Sequence, residues 1–124
     1  MSELIQFVVP GVFPSLNVLL GWHWAKRARH RKDIENAIVF NDDVRRRMDK
    51  TSADPRKMEV GLTIYQPFRR LDQDNADGSM KPVIDSLKSL GLIYRDSPKW
   101  LTKTITQKVD RKNPRVVVEI QEKA

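Results

Sequence analysis

The chain has 124 residues, with 23 Lys and Arg against 16 Asp and Glu for a net charge of +7 and 40% hydrophobic content. That size suits one domain over residues 1–124, and the basic excess makes a polyanion, nucleic acid ahead of a membrane surface, the expected partner. The absence of cysteine removes disulfides, thiolate zinc sites and cysteine nucleophiles, and two histidines leave little for imidazole chemistry, so any catalysis rests on carboxylates, lysines or a metal.

The N-terminus lacks the charged-then-apolar pattern of a signal peptide, and no apolar run approaches the roughly 20 residues of a spanning helix. A cytoplasmic protein with no membrane partner is expected. Leu4 to Val9 reads as a first strand, closed by Pro10 and Gly11. Residues 10 to 22 hold Pro10, Gly11, Pro14, Ser15, Asn17 and Gly21, a density of breakers that predicts an irregular, ordered loop. From Trp24 to about Met48 there is no Gly or Pro, and Ala37, Phe40, Val44 and Met48 recur at helical spacing, predicting one long amphipathic helix. Lys26, Arg27, Arg29, Arg31 and Lys32 load its first turns and Arg45, Arg46 and Arg47 its end. Such a run is either a solvated face or a phosphate-binding one; Trp22 and Trp24, rings beside cations, favour nucleic acid where they are exposed, but fit the core equally well, and one of the two is expected there.

Thr51 to Arg56 reads as a loop. Met58, Val60, Leu62 and Ile64 then alternate with Glu59, Gly61, Thr63 and Tyr65, the clearest strand in the chain. Ser79 is a candidate N-cap for a helix over Met80 to Leu90, with Pro82 in its first turn and Gly91 as its stop. Leu101 to Val109 and Arg115 to Gln121, joined by the polar 110–114, predict a final antiparallel hairpin whose first arm is weak, because Lys103 and Gln107 share a face with apolar residues. The expected fold is α+β, a mixed sheet of about four strands with two helices on one face in the order β-α-β-α-β-β.

Acids converge in only one region. Asp72, Asp74, Asp77, Asp85 and Asp96 surround the second helix, an acidic island that suggests a bound cation, with Mg2+ shared with a phosphate as the natural choice. Asp72 and Asp74 are two residues apart just past a strand, and on continued extended backbone both carboxylates would project to one side. Arg69, Arg70 or Lys81, or an ion, would be needed to keep both charged. An EF-hand loop is excluded by Ala76, Asp77 and Val83 where it would need other residues. No Gly-rich phosphate loop is present, so no nucleotide cofactor is expected.

Taken as a set, the pattern resembles the RusA family of Holliday junction resolvases, small magnesium-dependent endonucleases typically carried by phages. The likeness rests on an early strand followed by Pro14, Ser15 and Asn17, then on Asp72, Asp74 and Asn75 after a strand, Lys81, Asp85 and Leu87 on the next helix, Gly91, and Asp96. It implies that Asp72, Asp74 and Asp96 ligate Mg2+, that Lys81 is the essential lysine and that Asp85 is an adjoining acid. Two departures stand out: the interval between Asp74 and Lys81 is longer than in many family members, and Arg95 precedes Asp96 where a second acid is common. The implied activity is paired, symmetric nicking of four-way DNA junctions by a twofold homodimer. Asn17, Lys26, Arg27, Arg29, Arg31, Lys32, Arg69 and Arg70 are the expected DNA-binding residues. Two other readings fit the same sequence, a non-catalytic nucleic-acid-binding protein whose acids are helix caps and a degenerate family member that binds junctions without cutting.

Overall fold

Alternating apolar residues build four strands, β1 (Ile5–Pro10), β2 (Met58–Gln66), β3 (Leu101–Val109) and β4 (Arg115–Glu122). The computed structural model describes residues 4–41, 44–45, 55–68 and 70–123. The strands form one mixed sheet in the order β1-β4-β2-β3. β4 runs antiparallel to both neighbours, with Phe7 opposite Val118 and Leu62 opposite Val118. β2 and β3 are parallel, in register from Met58 opposite Leu101 to Gln66 opposite Val109. The intervening helical segment supplies the crossover that a parallel pair requires.

The expected hairpin between β3 and β4 does not form, because β2 lies between them. The reason is burial. Val116, Val118 and Ile120 are fully buried on the inner face, and Arg115, Val117 and Glu119 on the outer face are still half-buried, so β4 is covered more completely than an edge strand and gains most from two neighbours. β3 buries only Leu101 and exposes Thr102, Lys103, Thr104 and Thr106, a composition suited to an edge. The link between them crosses the end of β2, where the Asp110 N–H donates to the Gln66 carbonyl at 2.7 Å.

Four helices are named here: α1 (Leu16–Gly21), α2 (Trp24–Val39), α3 (Gln73–Ser79) and α4 (Lys81–Ser89). α1 occupies part of the segment expected to be irregular. Pro10, Gly11 and Pro14 precede the helix, Asn17 falls in its first turn, Gly21 is its last residue, and Ser15 caps it by accepting from the Val18 N–H at 3.3 Å. α2 ends at Val39, short of the expected Met48. Asn41 restarts the chain, its side chain accepting from the Val44 N–H at 3.2 Å. Most of the loop expected over Thr51–Arg56, together with Arg46, Arg47 and Met48, lies outside the described residues.

Ile34 and Ile38 of α2 and Val83, Ile84 and Leu87 of α4 pack on Phe7, Val9, Leu62, Ile64, Val118 and Ile120 of the sheet to form one core. Each such side chain contributes about 1.5–3 kcal/mol by leaving water. α4 stops where expected: Gly91 adopts φ 77°, its N–H donates to the Lys88 carbonyl at 3.1 Å, and the Leu92 N–H reaches the Leu87 carbonyl at 2.9 Å. No described helix is long and apolar enough to cross a membrane.

Candidate nucleic-acid and metal site

Extended backbone persists only to Asp72, which has ψ 162° and caps α3. Its Oδ1 accepts from the Asn75 N–H at 2.9 Å and from Asn75 Nδ2 at 3.0 Å. Asp74 already lies in the first helical turn. The expectation that both carboxylates share one side of a strand is therefore overturned: a capping Asp starts the helix one residue too early for it. Both remain exposed at the head of α3, where the helix dipole favours negative charge without any ligand. Asp77, also exposed, accepts from Gln73 Nε2 at 2.6 Å.

Two ties hold this head in place. The Asn17 N–H donates to Asn75 Oδ1 at 3.1 Å, so the Pro-Ser-x-Asn segment and the acid motif, 58 residues apart, meet through Asn75. Gln107 of β3 pairs with both main-chain groups of Leu71, accepting from its N–H at 2.8 Å and donating to its carbonyl at 2.9 Å. The polar residue that weakened β3 as a strand thus fixes the acid loop to the sheet. Sequence reasoning missed this role; the signal available was an amide side chain among apolar positions of one strand face. It also missed Gly78, where an added Cβ would stand 2.6 Å from Leu16, so the glycine is what lets α1 close on α3.

Ser79 is not the cap of α4. It sits buried in the last turn of α3 with its Oγ donating to the Ala76 carbonyl at 3.1 Å, and α4 follows from Met80 without a side-chain cap. Lys81, in the first turn of α4, is exposed and pairs with Asp85 at 3.6 Å. That brings these two residues together and places them after the α3 head.

Asp96 lies elsewhere. Leu71 is held beside Gln107, which stands opposite Ile64 near the end of β2. Asp96 precedes the Ser97–Leu101 turn, and Trp100 accepts from the Met58 N–H at the beginning of β2. Arg56 Nη2 binds the Gly91 carbonyl at that same end. From Met58 to Ile64 the strand covers roughly 20 Å. The third acid is thus at the opposite end of β2 from Asp72 and Asp74. Among the described residues no three His, Cys, Asp or Glu side chains gather as metal ligands. Mg2+ commonly takes one or two carboxylates and completes its shell with water and phosphate oxygens. Exposed Asp72 and Asp74 suit that donor chemistry, and Asp96 is not gathered with them among the described residues.

The basic face is divided. Lys26, Arg27, Arg29 and Lys32 of α2 are exposed, as are Asn17 and Arg70, whereas Arg69 lies outside the described residues. Arg31 instead ties α2 to α4, donating through Nη2 to the Asp85 carbonyl at 3.3 Å and to Ser89 Oγ, with Nε 3.3 Å from Glu35. Trp24 is exposed, while Trp22 is half-buried, carrying Lys26 Nζ 4.4 Å above its ring. His23 caps α2, Nδ1 accepting from the Ala25 N–H at 3.2 Å. His30 packs edge-on against Phe13 and Trp22; burial pushes its imidazole below the ordinary value, with the Asp33 carboxylate opposing.

No model of a known protein family matches the chain, and no curated protein matches it. Among solved structures it is similar to PurLQS from Thermotoga maritima at 13% identity and TM-score 0.35, over 99% of this chain and 18% of that one. A likeness at that level bears on neither fold nor function.

Proposed function

We propose that the protein is a Mg2+-dependent, structure-specific DNA endonuclease of the RusA type, acting on four-way junctions as a twofold homodimer in the cytoplasm. The observation that carries the reading is the hydrogen-bonded chain Asn17–Asn75–Asp72, which joins the two halves of the motif on which the resemblance rests. Asp72 and Asp74 are the carboxylates to hold the ion, with the Asn75 amide orienting Asp72. Bound there, Mg2+ would supply a water of lowered pKa and positive charge beside the scissile phosphate. Lys81 meets charge developing on the phosphoryl oxygens, and Asp85 holds its ammonium near that position. Lys26, Arg27, Arg29, Lys32 and Arg70 neutralise flanking phosphates.

Two symmetric nicks require two sites, hence the dimer. Because Asp96 stands at the far end of β2, a third carboxylate at either site comes from the second protomer. Mixing Asp74→Asn and Asp96→Asn protomers tests this. Each variant alone should be inactive, yet the mixed dimer keeps one site with all three acids and should nick one strand. A mixture as inactive as its parents would exclude a shared site.

A second reading, a junction binder without nuclease activity, draws on the separation of Asp96 and on the capping role of Asp72. Under it, Asp74→Asn alters only binding.

A further inference from the structure

Between α1, the first turns of α2 and the meeting of α3 with α4 lies a cleft of about 310 Å³ that shares Arg27, Lys81 and Asp85 with the proposed site but whose apolar part the proposed chemistry leaves without a role. Leu16, Leu19, Leu20 and Pro82 form its apolar walls. Leu16 owes its position to Gly78, since any side chain there would strike it. Leu20 keeps 65% of its surface exposed at this wall, which leaves an apolar face open to an occupant.

Arg27, Arg31, Lys81 and Asp85 also line the cleft. Lys81 and Asp85 compensate each other, and Arg31 is committed to Glu35, Ser89 and the Asp85 carbonyl. Arg27 has no ion-pair partner among the described residues and leaves one uncompensated positive charge. The occupant that fits has an apolar-faced body and a single anionic group. Its size is set by a space at the small end of ligand pockets, which run about 300–1,000 Å³. One nucleobase enters such a space. The cleft opens beside the basic face of α2, where phosphates of bound DNA would run, and a base that has lost its pairing is the least costly to unstack.

We propose that this cleft receives the base of a nucleotide unstacked from bound DNA, with the attached phosphate held by Arg27. The proposal rests on the DNA-directed reading above and adds a recognition site to it. The ring of His30, which is among the lining residues, meets the base, and burial favours its neutral form, with the Asp33 carboxylate opposing. A neutral ring contributes an apolar face there without repelling or attracting phosphate.

The full chain is titrated in EDTA with a 5′-phosphorylated thymidine trinucleotide carrying a central adenine, with the same probe carrying a central abasic site, and with inorganic phosphate, following backbone amides by NMR. The adenine probe should shift the amides of Leu20 and Gly78 and bind about ten-fold more tightly than the abasic probe, the value of one stacked base. Leu20→Glu, at an exposed position, should erase that difference, and Leu20→Met should retain it. Equal affinity for the two probes, shifts with phosphate that match those with the adenine probe, or an unchanged ratio in Leu20→Glu would overturn the proposal. Junction nicking in Mg2+ by the same preparation separates the two readings. Nicking without base preference removes only the cleft's role, whereas base preference without nicking removes the endonuclease and leaves the cleft.

Discussion

Asn75→Ala probes the tie on which the site depends. The substitution removes two side-chain hydrogen bonds, the acceptance from the Asn17 N–H at 3.1 Å and the donation to Asp72 at 3.0 Å. It leaves the cap itself, because the Asn75 N–H still donates to Asp72. Each lost bond is solvent-exposed and contributes roughly 0.5–1 kcal/mol, so the expected destabilisation is about 1–2 kcal/mol. For a chain of this length that corresponds to a fall in Tm of about 4–8 °C. Thermal melts and urea titrations followed by circular dichroism measure it, with the m-value unchanged. Nicking should fall further than stability, because α1 loses its tie to α3 and Asp72 keeps only one of its two contacts with Asn75. A change within about 0.3 kcal/mol of the parent, with full activity, would refute the idea that Asn75 organises this region.

Lys81→Ala should lower the single-turnover nicking rate by roughly two orders of magnitude or more, with little change in junction affinity. Lys88→Ala, about 10 Å farther along α4, removes the same charge and should leave the rate nearly intact; equal effects would make Lys81 part of the general DNA-binding surface. A pH dependence follows from His30, whose folded-state pKa lies below the unfolded value of about 6.5. The unfolded chain therefore takes up the proton first, so stability should fall as pH drops through about 6.5 and level off below the folded pKa. His30→Phe should flatten that part of the urea-midpoint profile between pH 8 and 5, and an unaltered profile would assign the loss to other groups.

Much of the fold was legible because a half-buried strand writes itself as alternation: β3 and the first residue of β2 fall where the pattern puts them, and Gly91 ends α4 as its positive φ requires. Pairing was less legible. Alternation does not name a strand's neighbour, and the clue that β4 sits inside the sheet was the apolar Val117 between inward-facing Val116 and Val118. α1 was hidden by counting Pro14 and Gly21 as interruptions when they bracket a capped turn. At the site, residue types were readable but geometry was not. Whether Asp72 continues a strand or caps a helix turns on one residue, and the placement of Asp96 depends on the crossover's return to the start of β2. Arg31 looked like its neighbours, yet its position opposite α4 makes it an interhelical tie. Its spacing to Ile34 and Ile38 separates it from Arg29, on the opposite side of α2, but not from Arg27, which shares its side.

Nicking of a synthetic four-way junction, in Mg2+ and in EDTA, by the native chain and by Asp74→Asn tests the endonuclease reading most directly. The native chain should introduce symmetric nicks in Mg2+ and none in EDTA. Asp74→Asn should be inactive in both while binding the junction in EDTA at least as tightly as the parent, since a negative charge near phosphate is gone. Nicking by Asp74→Asn at the parental rate, or binding by the native chain with no cleavage in Mg2+, would contradict it.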